Sequence, residues 1–253
     1  MPHRFHLPPD ECRGPSLRLT GNEAHHAVHV LRLRAREVVT VLDGAGSEFQ
    51  CEVAETGNGQ VELSVIAKRS LPPPTCELTL LQALPKGKLL EFIIQKATEL
   101  GASRIVPLLS ERVIVQLGPS DAARKVEKWQ SIAVEAIKQC GTAWLPGIET
   151  PVTLEQALAR YGDFEVSLIG SLQPDARHPR HYLQAFQREH SRSPKSIGVW
   201  VGPEGDFTPE ELQAVQSAGV RPISLGPLVL RADTAALYCL SVLSYEMRWA
   251  EGG

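Results

Sequence analysis

The chain has 253 residues, of which 43% are hydrophobic and 22% charged, and its formal net charge is −3. This composition is ordinary for a soluble globular protein, and the length suits one large domain or two moderate ones. No apolar run approaches the roughly 18 residues of a membrane span, and the first residues lack the apolar core of a signal peptide. We therefore expect a cytoplasmic protein with no membrane partner.

The first 36 residues are locally basic, although the whole chain is slightly acidic. They contain six arginines and five histidines against three acidic residues. Because nucleic acids are bound through positive charge close to their phosphates, this segment predicts a phosphate-binding patch. An ordinary arginine-rich surface is the alternative. The candidate contacts are Arg4, His25, His26, Arg32 and Arg34.

A helix followed by short strands is predicted in this first part of the chain. The helix covers residues 21–32, with Asn22 as its cap. The strands cover 38–42, 48–53 and 61–66, with turn signals at 43–46 and 57–59. Short strands with one helix over this length predict a small β-barrel domain in residues 1–70.

Three histidines of the predicted helix, His25, His26 and His29, have the spacing of a helical metal site. No cysteine or carboxylate partner accompanies them, and the five cysteines of the chain are scattered without a CxxC pair. Phosphate contact or an ordinary helix surface is therefore the favoured interpretation, and we expect no metal.

The segment 71–75, Leu-Pro-Pro-Pro-Thr, predicts an extended linker, because consecutive prolines cannot continue a helix or donate to a central sheet. After it, residues 76–253 alternate between strand-like and helical segments. The predicted strands are 78–84, 104–109, 197–201 and 220–225, and the predicted helices are 88–100, 120–140, 209–218 and 235–249. Such alternation predicts an α/β domain with a mainly parallel sheet. Thr208 and Glu211 have the spacing of a capping box.

Three loops rich in glycine or charge follow predicted strands, at 85–88, 202–207 and 226–234. Open α/β sheets bind ligands at the carboxyl ends of their strands, so these loops predict a binding site. None matches a Walker loop or a G-x-G-x-x-G fingerprint, which argues against ATP and NAD. Glycine and proline fix the backbone direction, which favours recognition by main-chain N–H and C=O groups. Gly-Pro turns with a purely structural role are the alternative.

Several stretches of the chain are together similar to one family. The most specific are VGPEGDFT at 201–208 and, within 224–237, the runs SLGP, VLR and DTAAL. Further similar stretches lie at 26–33, 43–44, 91–101, 110–112, 129–133 and 139–141. Over nearly its whole length the chain resembles the ribosomal RNA small subunit methyltransferase E family of the SPOUT superfamily.

The resemblance implies a trefoil-knotted α/β domain in residues 76–253 and a PUA-like RNA-binding β-barrel in residues 1–70. It also implies S-adenosyl-L-methionine as cofactor, a homodimer, and methylation of N3 of a uridine in 16S rRNA of the small ribosomal subunit. The implied cofactor contacts are Leu81, Gly202, Pro203, Glu204, Gly205, Leu225, Gly226, Leu230, Thr234 and Ala235. Lys86 and Lys88 are expected to contact RNA.

Arg231 is the catalytic residue that the resemblance implies. Uridine N3 must lose a proton before or during attack on the sulfonium, and a guanidinium can stabilise the developing anion. A salt bridge at the helix entry is the alternative for Arg231, and core packing is the alternative for Leu225 and Leu230. Glu204 is a candidate base by placement, although a hydrogen-bond anchor is the commoner role, and Asp233 is expected to cap the last helix.

The chain departs from the family pattern at four places. Thr142 and Leu228 stand where arginines are usual, Asp206 replaces a common glycine, and residues 232–234 read Ala-Asp-Thr in place of Thr-Glu-Thr. Two missing arginines weaken phosphate contact, so the departures concern the RNA more than the cofactor. Two other functions stay open: a catalytically weak RNA-binding or ribosome-assembly factor, and a methyltransferase acting on another RNA.

Overall fold

Two sheets organise the part of the chain that the computed structural model describes, residues 3–57, 59–113 and 118–249. Contacts group the chain into two units, Met1–Pro73 with Val134–Leu145, and Pro74–Ala133 with Pro146–Gly253. The first unit is therefore assembled from two separate stretches of the chain. The turn predicted at 57–59 includes Asn58, which lies outside the described residues.

The first unit is built on a five-stranded sheet. Its elements are β1 (Arg4–His6), β2 (Ser16–Leu19), α1 (Gly21–His25), a π-helical segment (His26–Val30), β3 (Val38–Leu42), β4 (Ser47–Gly57) and β5 (Gln60–Ser70). The strand order is β1-β3-β4-β5-β2, in which β1 and β3 are parallel and the other neighbours antiparallel. Asp43 shapes the β3–β4 turn, because its Oδ1 accepts hydrogen bonds from the backbone N–H groups of Ala45 and Ser47 at 2.8 Å.

Side chains from this sheet and its helix meet in one apolar cluster. Phe5, Leu19, Val41 and Leu63 are fully buried in it, and α1 contributes Ala24. The period-2 alternation of the strands places the apolar residues on one face of the sheet. The prediction of a small β-domain with one helix is confirmed.

The helix of this unit differs from its prediction in how it begins and continues. The cap position is Thr20, which makes no side-chain capping hydrogen bond, so the prediction of Asn22 as the cap is wrong. Asn22 lies inside the first turn, because the chain is already helical at Gly21. From His26 onward the helix widens into π geometry, a form that is frequent at functional sites.

The second unit is an α/β sheet whose named strand pairs are all parallel. Its elements are β6 (Glu77–Ala83), α2 (Leu89–Glu99), β7 (Arg104–Leu109), α3 (Pro119–Cys140), β8 (Gly147–Ile148), β9 (Val152–Thr153), α4 (Leu154–Tyr161), β10 (Val166–Gly170), α5 (Pro179–His190), β11 (Ser196–Val201), α6 (Pro209–Ser217), β12 (Arg221–Ile223) and α7 (Ala232–Trp249). The strand order is β12-β10-β11-β6-β7-β8, and β9 also pairs with β7. The predicted α/β domain with a mainly parallel sheet is confirmed.

Helices pack against this sheet and cover its central strands. Helix α7 packs on β6 and β11 and against α2, while α4 packs on β7. Successive residues of a strand point to opposite faces, and both Leu80 and Leu81 in β6 are fully buried. Strands buried on both faces are rich in apolar residues, and that richness in β6, β7 and β11 is the pattern that predicts them.

Seven short or polar elements are absent from the sequence prediction, namely β1 and β2 in the first unit and β8, β9, α4, β10 and α5 in the second. Helix α5 buries Pro179 and Leu183 and is otherwise largely polar, so its apolar period is weak. Helix α7 begins at Ala232, three residues before its predicted start. Asp233 therefore lies in the first turn, where its Oδ1 accepts from the Thr234 N–H at 2.8 Å, and its predicted role as the cap is wrong.

The last turns of α3 belong to the first unit, where Lys138 is buried with only 7% of its side chain exposed. Its Nζ donates to Glu23 Oε1 and to Glu135 Oε1, both at 2.7 Å. Burial alone lowers the pKa of Lys138, but the hydrogen bonds to the two carboxylates outweigh burial and hold that pKa above its ordinary value. Arg4 Nη1 donates to the carbonyls of Lys138 and Gln139, at 3.2 and 3.1 Å, and so caps this helix end.

Candidate functional site

A cleft of about 290 Å³ opens at the carboxyl ends of three neighbouring parallel strands, β12, β10 and β11. The residues that line it are Gly170, Ser171, Leu172, Val201, Gly202, Pro203, Glu204, Asp206, Leu225, Gly226, Leu228, Val229, Leu230, Arg231, Ala232 and Ala235. Most of them come from two loops, which we name the β11 loop (residues 202–208) and the β12 loop (residues 224–231). Open parallel sheets bind ligands at this edge, and the cleft is the candidate site.

The β11 loop is folded by a tight turn at Asp206. The Asp206 N–H donates to the Pro203 carbonyl at 2.9 Å, and its Oδ1 accepts from the Phe207 N–H at 2.8 Å. Asp206 has a φ of 61°, in the left-handed region that favours glycine. The glycine usual in the resembled family at this position is the residue that this backbone conformation prefers, and aspartate is one of the side chains that tolerate it.

Two further carboxylates, of Glu204 and Glu211, fix the rest of this loop. Thr208 and Glu211 form the predicted capping box, which is confirmed, and Glu211 is 6% exposed. Its Oε2 accepts from the Thr208 N–H at 2.9 Å and its Oε1 from the Glu111 N–H at 2.8 Å. Glu204 Oε1 accepts from the Lys86 N–H at 3.1 Å, which gives Glu204 the anchoring role considered for it. The β11 loop is thus shaped by bonds within the second unit.

The β12 loop is held by fewer side-chain bonds and exposes apolar residues. Gly226, with a φ of 106°, donates from its N–H to Ser224 Oγ at 3.3 Å. Leu228 and Val229 border the cleft while 71% and 79% exposed. Exposed apolar side chains beside a cleft are typical of surfaces that become covered on binding.

Arg231 ends the β12 loop with its side chain exposed at the cleft. Its carbonyl accepts from the Ala235 N–H at 2.8 Å, which begins the hydrogen bonding of α7. Among the residues that the structure describes, no carboxylate lies within 4.0 Å of the Arg231 guanidinium. The salt bridge considered as the alternative for Arg231 is therefore not formed there.

The cleft brings together eight of the eleven residues predicted for cofactor and catalysis. They are Gly202, Pro203, Glu204, Leu225, Gly226, Leu230, Arg231 and Ala235. Leu81 is fully buried in the core cluster of the sheet, and Thr234 is exposed in the first turn of α7. Gly205 lies beside the cleft wall, where its carbonyl accepts from Arg112 Nη1.

Sequence reasoning missed the wall formed by Gly170, Ser171 and Leu172 at the end of β10. The missed signal is the apolar run Val166–Ile169, interrupted by one serine and closed by a glycine and a polar loop. A run of this length is consistent with a buried strand, and a strand end is where a site residue is expected. Asp206, Leu228 and Val229 also line the cleft. Asp206 and Leu228 are two of the departures from the family pattern, and Val229 follows Leu228 in the chain.

The residues predicted to bind RNA fall in both units. In the first unit His25 is exposed with its ring against that of His29, at a centroid distance of 4.7 Å, and Arg32 and Arg34 are exposed beyond the π-helical segment. The half-buried His26 ring makes an edge contact with Phe5. Arg4 is bonded to the end of α3, as described above.

Lys86 and Lys88 are exposed on the loop that follows β6 in the second unit. Within residues 3–57, 59–113 and 118–249, no group of three His, Cys, Asp or Glu side chains is arranged to hold a metal ion. The helices of the same residues include none both long and apolar enough to cross a membrane.

Comparison with known proteins identifies the class. A family described as the RNA methyltransferase domain matches residues 72–244, and one described as the RNA methyltransferase PUA domain matches residues 19–66. A Legionella pneumophila protein, solved in complex with the bound cofactor S-adenosylmethionine, superposes with a TM-score of 0.87 at 30% identity, over 97% of this chain and 98% of the other. Fold and site define an RNA methyltransferase with a PUA-type amino-terminal domain.

Two further comparisons give the family. Ribosomal RNA small subunit methyltransferase E of Bacillus subtilis (strain 168) is 32% identical over 244 residues, which cover 94% of this chain and 93% of the relative. The enzyme of that name from Neisseria gonorrhoeae, solved bound to S-adenosyl methionine, superposes with a TM-score of 0.84 at 27% identity, over 97% of this chain and 98% of the other. The chain belongs to the ribosomal RNA small subunit methyltransferase E family.

Proposed function

We propose that this protein uses S-adenosyl-L-methionine to methylate N3 of a uridine in 16S rRNA of the small ribosomal subunit. The observation that carries the proposal is the cleft at the ends of β10, β11 and β12, found in a chain of this family. In this proposal residues 1–70 form the RNA-binding domain, residues 71–75 the linker and residues 76–253 the catalytic domain.

The residues of the cleft fit such a cofactor. Ligand pockets commonly hold roughly 300–1,000 Å³, and the cleft of about 290 Å³ lies near the lower end of that range. A Cβ added to Gly202 would lie 3.0 Å from Asp206 Oδ1 and 3.3 Å from Phe207 Cδ2, so glycine at this cleft position lets the β11 loop pack closely on itself. Leu225 and Leu230 offer apolar surface suited to adenine.

The ten predicted contacts are proposed to hold the cofactor, with Leu81 acting through the core that supports the wall. When bound, S-adenosyl-L-methionine supplies a methyl group activated by its sulfonium. The chain's part is to orient the uridine and stabilise the charge that develops on it. The exposed Arg231 guanidinium, which has no carboxylate partner among the described residues, is proposed to stabilise the uridine anion.

RNA contact is proposed from both units. Arg4, His25, His26, Arg32 and Arg34 would supply it from the first unit. Lys86 and Lys88 would supply it from the loop after β6. The chain as a whole carries a net charge of −3, so contact with RNA phosphates is expected only where positive side chains are grouped, as they are in these two places.

The remaining expectations from the family are proposals as well. We propose a trefoil knot in the second unit, a homodimer and a cytoplasmic location. Exposed Tyr238 and Tyr245 on α7, at 41% and 59%, offer apolar surface for a second copy of the chain. Analytical ultracentrifugation over a range of concentrations tests the dimer, and a monomer at all of them would contradict it.

The function is tested by cofactor titration calorimetry together with methyl transfer to 30S subunits from a strain lacking the modification. We expect cofactor binding and the appearance of N3-methyluridine in 16S rRNA, identified by nucleoside mass spectrometry. Cofactor binding without transfer would favour the ribosome-assembly factor. Transfer to another RNA, such as tRNA, would favour the related methyltransferase.

A further inference from the structure

A second hollow, of about 240 Å³, lies between the loop after β6, the first turn of α2 and one face of α3. We name it the lysine pocket and define it by Lys88, Glu91, Lys125, Lys128 and Trp129. All of them belong to the second unit, and none of them lines the cleft. Three cations around one concave surface distinguish it from the flat, mixed-charge surface of an ordinary helix.

The spacing along α3 creates one wall of this pocket. Lys125, Lys128 and Trp129 stand at positions i, i+3 and i+4 and so lie on the same helix face. Trp129 is only 4% exposed and gives the pocket a rigid base. Lys125 is half-buried, while Lys88 is exposed at the rim opposite. The cations therefore surround the hollow and are not scattered over the surface.

The charges in the lysine pocket do not balance. Lys128 Nζ lies 2.5 Å from Glu91 Oε1, which satisfies one cation. In the described part of the chain, no carboxylate lies within 4.0 Å of the ammonium group of Lys88 or Lys125. Two positive charges thus border a concave surface without an anion of their own, which favours binding of a compact anion such as a phosphate.

The position of the pocket points to one source of phosphate. Leu84, Pro85, Gly87 and Lys88 line the pocket, and Lys86 between them donates its N–H to Glu204 in the cleft wall. One short loop therefore separates the lysine pocket from the candidate methylation site. A phosphate bound in the lysine pocket and a nucleotide bound in the cleft would therefore lie on either side of that loop.

We propose that the lysine pocket binds a backbone phosphate of the RNA substrate, next to the nucleotide that enters the cleft. Lys88 and Lys125 are the principal contacts, and Lys128, paired with Glu91, forms the adjoining wall of the pocket. The inference rests on the proposed function, since it assigns a phosphate subsite to the same RNA. It also names Lys125 and Lys128 as part of the RNA-binding surface, beyond the residues that the sequence indicated.

The test compares the Lys88→Ala/Lys125→Ala double variant with Arg124→Ala, using 30S subunits that lack the modification. Arg124 is the matched control, because it is adjacent on α3, paired with Asp121 and 77% exposed, and does not line the pocket. We expect the Kd of the double variant for subunits to rise about tenfold, and the slope of log Kd against log salt to fall by about 1 to 2. The Kd for S-adenosyl-L-methionine, measured by calorimetry, is expected to stay unchanged.

Lys125→Arg keeps the charge and is expected to bind subunits within about twofold of the wild type. Equal salt slopes for the double variant and Arg124→Ala would overturn the phosphate subsite. This experiment measures binding of the subunit, whereas the proposed function is tested by methyl transfer, so the two can fail independently. A wild type that binds subunits with the expected lysine dependence but transfers no methyl group contradicts the methylation and supports the subsite, whereas a wild type that binds no subunits overturns both.

Discussion

The two loops of the cleft are held in different ways, although they follow the two strands, β11 and β12, that flank β10 in the same sheet. The β11 loop accepts hydrogen bonds at the carboxylates of Glu204 and Asp206 and donates one from the Thr208 N–H to Glu211 of α6, which place its backbone independently of any ligand. The β12 loop leaves Leu228 and Val229 in water, at 71% and 79% exposure. The difference suggests a division of roles in which the first loop is preorganised for the cofactor and the second acquires part of its stability when it is covered.

The largest expected effect is on the chemistry at the end of the β12 loop. Arg231→Ala is expected to lower kcat by roughly 100-fold or more, because it removes the charge proposed to stabilise the uridine anion. Cofactor affinity is expected to change less than about threefold, since preorganised backbone in the β11 loop provides much of the binding. Single-turnover methyl transfer and calorimetry measure the two quantities.

Arg221→Ala is the control for that variant, because Arg221 is exposed on β12 and does not line the cleft. Its kcat is expected to equal that of the wild type. Unchanged turnover in Arg231→Ala would remove the catalytic assignment.

The next largest expected effect is on the stability of the β11 loop, which Glu211 holds in place. Glu211→Ala is expected to lower the free energy of unfolding by about 2–3 kcal/mol, because two backbone N–H groups, of Thr208 and Glu111, lose their buried acceptor. Urea denaturation measures it. Glu210→Ala removes an exposed carboxylate one residue earlier and should change stability by less than about 0.5 kcal/mol. Similar losses in both variants would mean that the bonds of Glu211 do not shape the loop.

Leu228→Ser tests whether the β12 loop becomes covered by the cofactor. The free energy of unfolding without ligand should stay within about 0.5 kcal/mol of the wild type, because the side chain is already exposed. Burial of a leucine on binding contributes about 1–2 kcal/mol, so the Kd for cofactor is expected to rise roughly five- to thirtyfold. Ile66→Ser, at an exposed apolar position of β5, is the control and should leave that Kd unchanged. If Leu228→Ser binds cofactor normally but weakens the dimer, the second chain is the cover.

The smallest effect concerns the turn of the β11 loop. Asp206→Gly removes the energetic cost of holding a side chain in the left-handed conformation, but it also removes the acceptor for the Phe207 N–H. Because the two effects oppose each other, the free energy of unfolding should stay within about 1 kcal/mol of the wild type. Asp206→Ala loses the same acceptor and keeps the costly φ, so it should be less stable than the glycine variant by about 1 kcal/mol. Thermal unfolding of the pair measures the difference, and equal stabilities would show that the backbone is unstrained.

The sequence predicts the two cleft loops well for a physical reason. Glycine and proline at strand ends restrict the backbone, and the capping box at Thr208 marks where α6 begins, so the β11 loop is delimited in the sequence itself. The wall at Gly170 and Ser171 is not predicted, because it depends on β10 pairing between β11 and β12. That pairing is a long-range property which the short run Val166–Ile169 does not specify.

The fold shows the same limit. Buried runs such as Arg104–Leu109 are predicted with their correct bounds, because both faces of the strand are apolar. The π-helical segment at His26–Val30 follows no simple period, and α5 is too polar to stand out. Asn22 and Asp233 are both capping residues by type, yet each is the second residue of its helix. Composition therefore locates a helix start to within a few residues and no better.

The assignment of Val134–Leu145 to the first unit has a consequence for how this protein can be divided or recombined. Leu42 and Ile137 share an apolar cluster, and Trp144 Nε1 donates to the Pro72 carbonyl at 3.0 Å. A fragment cut at the proline stretch would thus leave behind the helix end that completes it. The amino-terminal module is not an independent cassette: its exchange between relatives would have to carry two distant stretches of sequence together, and those stretches are expected to evolve as one.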